Sequence, residues 1–287
     1  MVFWTLKDRV YSIERPLVMG ILNATPDSFH AESRTTVDDA VTRAEQMLAE
    51  GADIIDIGGM SSRPGSEEVP SEVELDRVIP VIAAIHERHP DALLSVDTYR
   101  AVVAEAAVSV GARMVNDIGA GRLDERMMST VAALRVPYVM MHMLGTPATM
   151  QQAPGYHHVV NDVVHFLSER MAAACDAGIA DVIIDPGFGF GKTTEHNLAL
   201  FNGLTSFAAL GAPLLVGISR KRMINEVLGT TSQEALNGTT VLNALALQRG
   251  AAILRVHDVL PAKQAVLLHQ ALSAAEGSEL HFASLAR

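Results

Sequence analysis

Polar residues recur at the ends of short apolar runs along this chain. In order they are Asn23, Asp56, Asp97, Asn116 with Asp117, His142, Asp185, the run Ser219-Arg220-Lys221-Arg222, and Arg255 with His257 and Asp258. Each alone suits a cap or a turn. Together they imply two chemistries. Asp97, Asn116 and Asp185 offer carboxylate and amide groups to a flat ligand rich in N–H donors, with Lys221 available for its carbonyl oxygen. Arg63, Arg255 and His257 gather positive charge, which suits a phosphate or diphosphate. Asn23 is a neutral oxygen ligand. Beside such an anion it suits Mg2+, which takes few protein ligands and keeps several waters. Asp56 and Asp117 are each followed by an apolar residue and read as local hydrogen-bonding groups.

The stretch Asp181 to Thr193, Asp-Val-Ile-Ile-Asp-Pro-Gly-Phe-Gly-Phe-Gly-Lys-Thr, shows how one such residue is presented. Val182-Ile183-Ile184 reads as a strand buried on both faces. It stops at Asp185, and Pro186 cannot continue a ladder. The glycines beyond let the loop approach a ligand closely. A nucleotide P-loop is excluded, because the position of its first Gly is Pro186. The dinucleotide fingerprint fails where its third Gly would be Lys192.

The elements that must position these residues alternate. Amphipathic helices end at Gly51, Gly111, Gly178, Gly211 and Gly250, as left-handed C-terminal caps require. Strands are expected at Val18–Leu22, Ile54–Ile57, Leu93–Val96, Met114–Ile118, Tyr138–Met141, Val182–Ile184, Leu214–Ile218 and Ile253–Val256. Strands alternating with helices pair in parallel through right-handed crossovers. A unit of this size, about 250 residues, fits a single (β/α)8 TIM barrel, with an open doubly wound sheet as the alternative. The whole chain, 1–287, reads as one domain. Residues 1–15 form a short hairpin turned at Lys7-Asp8 that closes the barrel's bottom, and 16–280 form the barrel itself. Val37 to Glu50 is a helix by periodicity. Ser71 to Arg88 is another, with Ser71 and Glu74 in capping-box spacing and Pro80 expected to kink it.

Composition bounds the function. With 49% hydrophobic residues the chain can bury a large core. Its formal charge of −11 argues against a general nucleic-acid or membrane-surface binder, so an anionic ligand needs a local basic cluster. No apolar run is long enough to span a bilayer. The N-terminal segment, broken by charges, lacks a signal-peptide core. The single cysteine, Cys175, fits a reducing cytoplasm and reads as a small core residue on a helix. His157-His158 reads as an exposed helix start, while His86, His89, His165, His269 and His281 read as solvated. His142 fits either the pocket or a structural bond, and Met140, Met141 and Met143 read as core.

Nine segments carry a specific resemblance: Ile21–Phe29, Gly51–Gly59, Ser62–Gly65, Ser95–Thr98, Val115–Ile118, Met141–Met143, Asp185–Thr193, Gly217–Lys221 and Arg255–Asp258. In register over nearly the whole chain, they resemble dihydropteroate synthase. That family consists of (β/α)8 barrels that join 4-aminobenzoate to 6-hydroxymethyl-7,8-dihydropterin diphosphate. Diphosphate is released with Mg2+, and 7,8-dihydropteroate for folate synthesis is made. The resemblance implies that Asp97, Asn116, Asp185 and Lys221 hold the pterin ring, with Met140 and Gly217 at backbone or wall positions of its pocket. It implies that Asn23, Arg63, Arg255 and His257 handle diphosphate and metal, and that Asp97, Lys221, Arg255 and His257 are catalytic. Aminobenzoate is then expected near Phe29, Ser62, Arg63, Pro64, Phe190, Ser219 and Lys221. Family members are usually homodimers through outer barrel helices.

Two loops depart from the family pattern. His30-Ala31-Glu32-Ser33 stands where Ser-Asp-Gly-Gly is common, so the usual loop aspartate is Ala31. Met60 replaces a usual Glu, and Ser62 a usual Thr. Sulfonamide-resistant synthases carry changes in this region, and Glu32-Ser33-Arg34 resembles theirs. Two other readings are a methyltetrahydrofolate–corrinoid methyltransferase, which would not need the anion cluster, and a catalytically dead pterin-binding paralogue.

Overall fold

The computed structural model describes residues 2–6, 9–24, 33–60, 69–147, 149–150 and 154–277. Two antiparallel strands come first, β1 (Val2–Leu6) and β2 (Arg9–Ile13), with Leu6 opposite Arg9. The expected turn at Lys7-Asp8 lies outside the described residues.

Eight parallel strands follow: β3 (Leu17–Asn23), β4 (Ile54–Gly58), β5 (Leu93–Asp97), β6 (Met114–Asp117), β7 (Tyr138–Met141), β8 (Val182–Asp185), β9 (Leu214–Val216) and β10 (Ala251–Val256). They pair in chain order, and β10 returns to β3 with Ile253 opposite Leu17, so the sheet is closed. This settles barrel against open sheet.

The helices are α1 (Ser33–Ala49), α2 (Ser71–Arg88), α3 (Ala101–Ser109), α4 (Met127–Leu134), α5 (Val159–Asp176), α6 (Thr194–Asn202), α7 (Arg222–Leu228), α8 (Leu236–Gln248) and α9 (Val259–Gly277). A 3-10 helix, Leu204–Leu210, precedes β9. The five helix-ending glycines all take positive φ, between 69° at Gly211 and 131° at Gly111.

Strand alternation sorts the side chains into three environments. Outward residues such as Val18, Ile55, Leu94, Val115, Tyr138 and Met140 pack under the helices in the main core. The inward residues nearest the strand starts, Met19, Ile54, Leu93, Met114, Val139, Ile183, Leu215 and Ile253 among them, fill the barrel floor. Trp4 and Ile13 of the hairpin complete that layer, so the hairpin closes the bottom as expected. The third environment, inward and near the strand ends, is polar.

Three local expectations fail. Ser71 is the first helical residue of α2 rather than its cap; Pro70 holds the cap position and no side-chain cap bond forms. Glu74 is fully buried and pairs with Arg100 at 2.6 Å, a partner that took it from the capping role. The helix runs on through Pro80. Cys175 is exposed on α5, not a core residue, because Ala174 takes the buried position beside it. His86 is half-buried against Gly111 rather than solvated: a Cβ at Gly111 would sit 2.5 Å from its Cγ. His157 and His158 are exposed, and His158 caps α5 through the Asn161 N–H.

Candidate active site

The inward positions at the C-terminal mouth are Asp56 on β4, Ser95 and Asp97 on β5, Asn116 on β6, Asp185 on β8 and Arg255 on β10, each two or four residues beyond a floor residue. One network joins four of them. Arg255 donates from Nε to Asp56 Oδ2 at 2.7 Å and from its second terminal nitrogen to Asp97 Oδ2 at 2.6 Å. Asn116 Nδ2 donates to the same Asp56 oxygen at 2.9 Å. Asp185 and Lys221 complete the ring around Gly217. A Cβ added there would lie 3.8 Å from Arg255 Cβ and 4.0 Å from both Asp185 Oδ2 and Lys221 Nζ. Asp97, Asn116, Asp185 and Lys221 therefore converge with Arg255 at one end of the barrel.

Burial sets the electrostatics. Loss of solvent pushes the Asp97 carboxyl up to about 7, against the pull of Arg255. Asp185 is raised for the same reason, less the opposing effect of Lys221 and the Gly187 N–H. Burial also brings the Lys221 ammonium down to about 8, with Asp185 resisting. Carboxylates held in this state gain most from a ligand that brings N–H donors. Lys221 Nζ donates to the Phe188 carbonyl and lies 4.9 Å above the Phe190 ring centre.

The basic cluster differs from its sequence reading. Arg255 is occupied by two carboxylates, Asp56 and Asp97, so it brings no net positive charge to an anion. His257 is lowered to about 4 by burial and by Arg255, and it is neutral at pH 7. Its Nδ1 lies 3.0 Å from Ser219 Oγ. It can donate a hydrogen bond but does not supply a cation. In the run 219–222 only Ser219 and Lys221 turn to the site. Arg220 makes a bidentate pair with Asp258, and Arg222 is exposed and pairs with Glu226.

Asn23 ends β3, half-buried, on the same strand face as Met19. Met140 points outward into the helix layer, so it meets the cavity through backbone alone; Met141 takes the inward place. Tyr99, Ile118, Met141, Met143 and Met150, with Met60 and Phe190 against them, form an apolar wall at the mouth. Phe29, Ser62, Arg63 and Pro64 lie outside the described residues, as do His30, Ala31 and Glu32.

Asp117 is structural, as its sequence context suggests: it faces outward and accepts from the Gly119 and Gly121 N–H groups and the Tyr138 hydroxyl. Asp56 is not. It is fully buried at the centre of the network, and its parity with Ile54, an inward residue, was the available signal. The second residue missed is Lys192, which is 3% exposed beneath the Gly-rich loop.

A barrel with this mouth has known relatives. Residues 19–257 match the family model described as pterin binding enzyme. A dihydropteroate synthase of Streptococcus pyogenes serotype M6 is 46% identical over 247 residues, 84% of this chain and 90% of the relative. This chain belongs to the dihydropteroate synthase family. A solved synthase of Xanthomonas albilineans with 4-aminobenzoic acid superposes with a TM-score of 0.88 at 45% identity, covering 95% of this chain and 98% of that one. The same organism's synthase in complex with 7,8-dihydropteroate gives 0.86 at 44%, covering 95% and 99%. The solved synthases thus share the closed barrel described above.

Proposed function

We infer that this chain is a transferase that condenses 6-hydroxymethyl-7,8-dihydropterin diphosphate with 4-aminobenzoate, giving 7,8-dihydropteroate and diphosphate. The observation that carries this reading is the convergence of four groups about Arg255: Asp97 pairs with it, Asn116 shares the Asp56 oxygen with it, and Asp185 and Lys221 meet it beside Gly217. The carboxylates and the amide match the N–H edge of the pterin, and the Lys221 ammonium matches its carbonyl oxygen. The apolar wall with Phe190 suits a flat ring.

The bond that forms joins the amine nitrogen to the pterin methylene carbon. The bond that breaks joins that carbon to a diphosphate oxygen. An arylamine is neutral at pH 7 and brings its own lone pair, so no protein base is required; the amine proton leaves to solvent. A loose transition state places positive charge on the pterin, beside the Asp97 carboxylate. The His257 ring donates to the departing anion, while Lys221 stays on the pterin carbonyl oxygen. Asn23 and the diphosphate oxygens fit the sparse, oxygen-only ligand set of Mg2+, which when bound neutralises charge developing on the leaving group.

Arg63 is read as a further contact to diphosphate and aminobenzoate, with Phe29, Ser62, Pro64 and Ser219 around the latter. Exposed Val241 on α8 and Leu260, Leu267, Leu268 and Leu272 on α9 support a homodimer through the outer helices. No described helix is long and apolar enough to cross a membrane, which accords with a cytoplasmic enzyme. The altered residues at 30–33, 60 and 62 support a sulfonamide-insensitive form that still accepts aminobenzoate. A sulfonamide inhibition constant close to the aminobenzoate Michaelis constant refutes that insensitivity.

The test of the main reading is diphosphate release that requires both substrates. Pterin binding without turnover favours the non-catalytic paralogue instead.

A further inference from the structure

The polar backbone groups of the Gly-rich loop after β8 can be followed one by one. The Gly187 N–H donates to Asp185 Oδ1 at 2.7 Å, the Gly189 N–H to Asn197 Oδ1 at 2.8 Å, and the Phe190 N–H to the Gly187 carbonyl at 3.2 Å. On the acceptor side, the Gly191 carbonyl receives the Tyr156 hydroxyl at 2.8 Å and the Phe188 carbonyl receives Lys221. Two further carbonyls, of Gly187 and Phe190, both turn inward to Lys192 Nζ, at 2.8 and 3.1 Å. The loop also has no slack on its inner side. A Cβ at Gly187 would lie 1.9 Å from the His142 carbonyl oxygen.

Lys192 itself is buried, and its other neighbours belong to His142: Nδ1 at 2.9 Å and the carbonyl at 3.4 Å. Burial and the Lys192 charge hold the His142 ring at about 2, so it is neutral and its Nδ1 can accept. His142 is in turn fixed edge-on against Phe166, 4.8 Å between ring centres. The hydrogen bonds of Lys192 go to backbone carbonyls and the His142 ring, not to the side chains assigned above to the substrates. It reaches them only through the arch it supports, whose outer surface carries the Phe188 carbonyl under Lys221 and the Phe190 ring beside it.

We propose that Lys192 is a positioning residue for the condensation, holding the 187–190 arch in the shape that places Lys221 Nζ and the Phe190 ring against the substrates. This rests on the role given to Lys221 above. A buried amine is an expensive way to fill space. Here one side chain donates to two inward carbonyls at once; an apolar residue of equal length would take that donor from the Phe190 carbonyl and leave the Gly187 carbonyl with the Phe190 N–H alone.

The experiment compares the full-length wild type with Lys192→Met and Tyr156→Phe by diphosphate release across pH and by thermal melting. Lys192→Met is expected to lower kcat about 100-fold, the effect of a displacement near 1 Å at reacting groups. It is also expected to move the high-pH limb of kcat/KM upward. Lys221 is faced by Asp185, Asp97 and Arg255, with Lys192 beneath the arch; burial holds the Lys192 amine well below its ordinary value, so it is the water admitted by a loosened arch that favours the Lys221 ammonium. Tyr156→Phe removes one clamp and should shift both quantities less, in the same direction. A merely structural role would lower the melting temperature and leave kcat and the limb within twofold of wild type, which overturns the proposal. If Lys192→Met does not fold, Tyr156→Phe decides, and wild-type kinetics there overturn it. A wild type that releases no diphosphate overturns the functional reading itself, before any variant is compared.

Discussion

Asp56 offers the sharpest test of how the mouth is held together. One oxygen, Oδ2, carries bonds from both Arg255 Nε and Asn116 Nδ2, while Oδ1 is buried with no hydrogen-bond partner among the described residues. In Asp56→Ala, Arg255 keeps Asp97, but its Nε–H and one Asn116 N–H lose their acceptor. Each stranded buried donor costs about 1–3 kcal/mol. The Arg255 side chain is 21% exposed and can recruit water, so its share falls at the lower end. The two together come to about 2–4 kcal/mol, or roughly 30- to 1000-fold in the equilibrium that feels them. Asp56→Asn behaves differently. Its carbonyl oxygen can take the Oδ2 place and keep both bonds, its NH2 replaces the unpartnered atom, and only the charge is lost. The difference between a charge-assisted and a neutral bond is about 1 kcal/mol. Calorimetric pterin affinity and denaturant unfolding of both variants give the comparison. Equal losses for Ala and Asn, or an Ala loss under about 0.5 kcal/mol, would refute the two-bond account.

Three further outcomes are expected. Asp97, raised from 3.8 to about 7 in the fold, binds its proton more tightly folded than unfolded, so its contribution favours folding at low pH and is lost as pH rises from about 4 to 7. The full shift corresponds to about 4 kcal/mol; with 17% of the side chain exposed, about 2–3 is expected. Asp97→Asn should therefore gain stability relative to wild type between pH 4 and 8 in denaturant titrations, and a flat difference contradicts the shift. Lys221, lowered to about 8, should impose a high-pH limb near that value on kcat/KM, and Lys221→Met should abolish the limb along with most activity. Gly187→Ala forces a methyl group into the His142 carbonyl at 1.9 Å and adds a side chain at φ 69°, so loss of soluble folded protein or at least about 3 kcal/mol is expected in unfolding experiments.

What could be read in advance followed from periodicity. The β-branched runs and the glycines at 51, 111, 178, 211 and 250 defined strands and helix ends, because burial on both faces and a left-handed cap each demand particular residues. Asp97, Asn116, Asp185 and Lys221 were legible because each closes an apolar run. Asp56 was not, because it sits inside the strand, where only its shared face with Ile54 marks it as inward. Lys192 was measured against nucleotide motifs and dismissed; its bonds go to backbone carbonyls, which leave no trace in residue types. The charge of the His257 and Arg255 group was misjudged since burial and the paired carboxylates depend on tertiary neighbours. Glu74 likewise obeyed a distant partner, Arg100, over its own helix end.

The stopper under the barrel ties the two ends of the chain together. Trp4 and Ile13 belong to a layer that includes Ile253 of the last strand, and β3 is sealed only when β10 pairs with it. During synthesis the hairpin is therefore made before the strands it seats against, and its socket is incomplete until β10 has been made. Its apolar face must stay solvated or be shielded through most of synthesis, and ring closure must pay the entropy of joining the most distant segments. Slow, chaperone-sensitive maturation is the consequence of making the plug before the barrel and the last wall of its socket with β10.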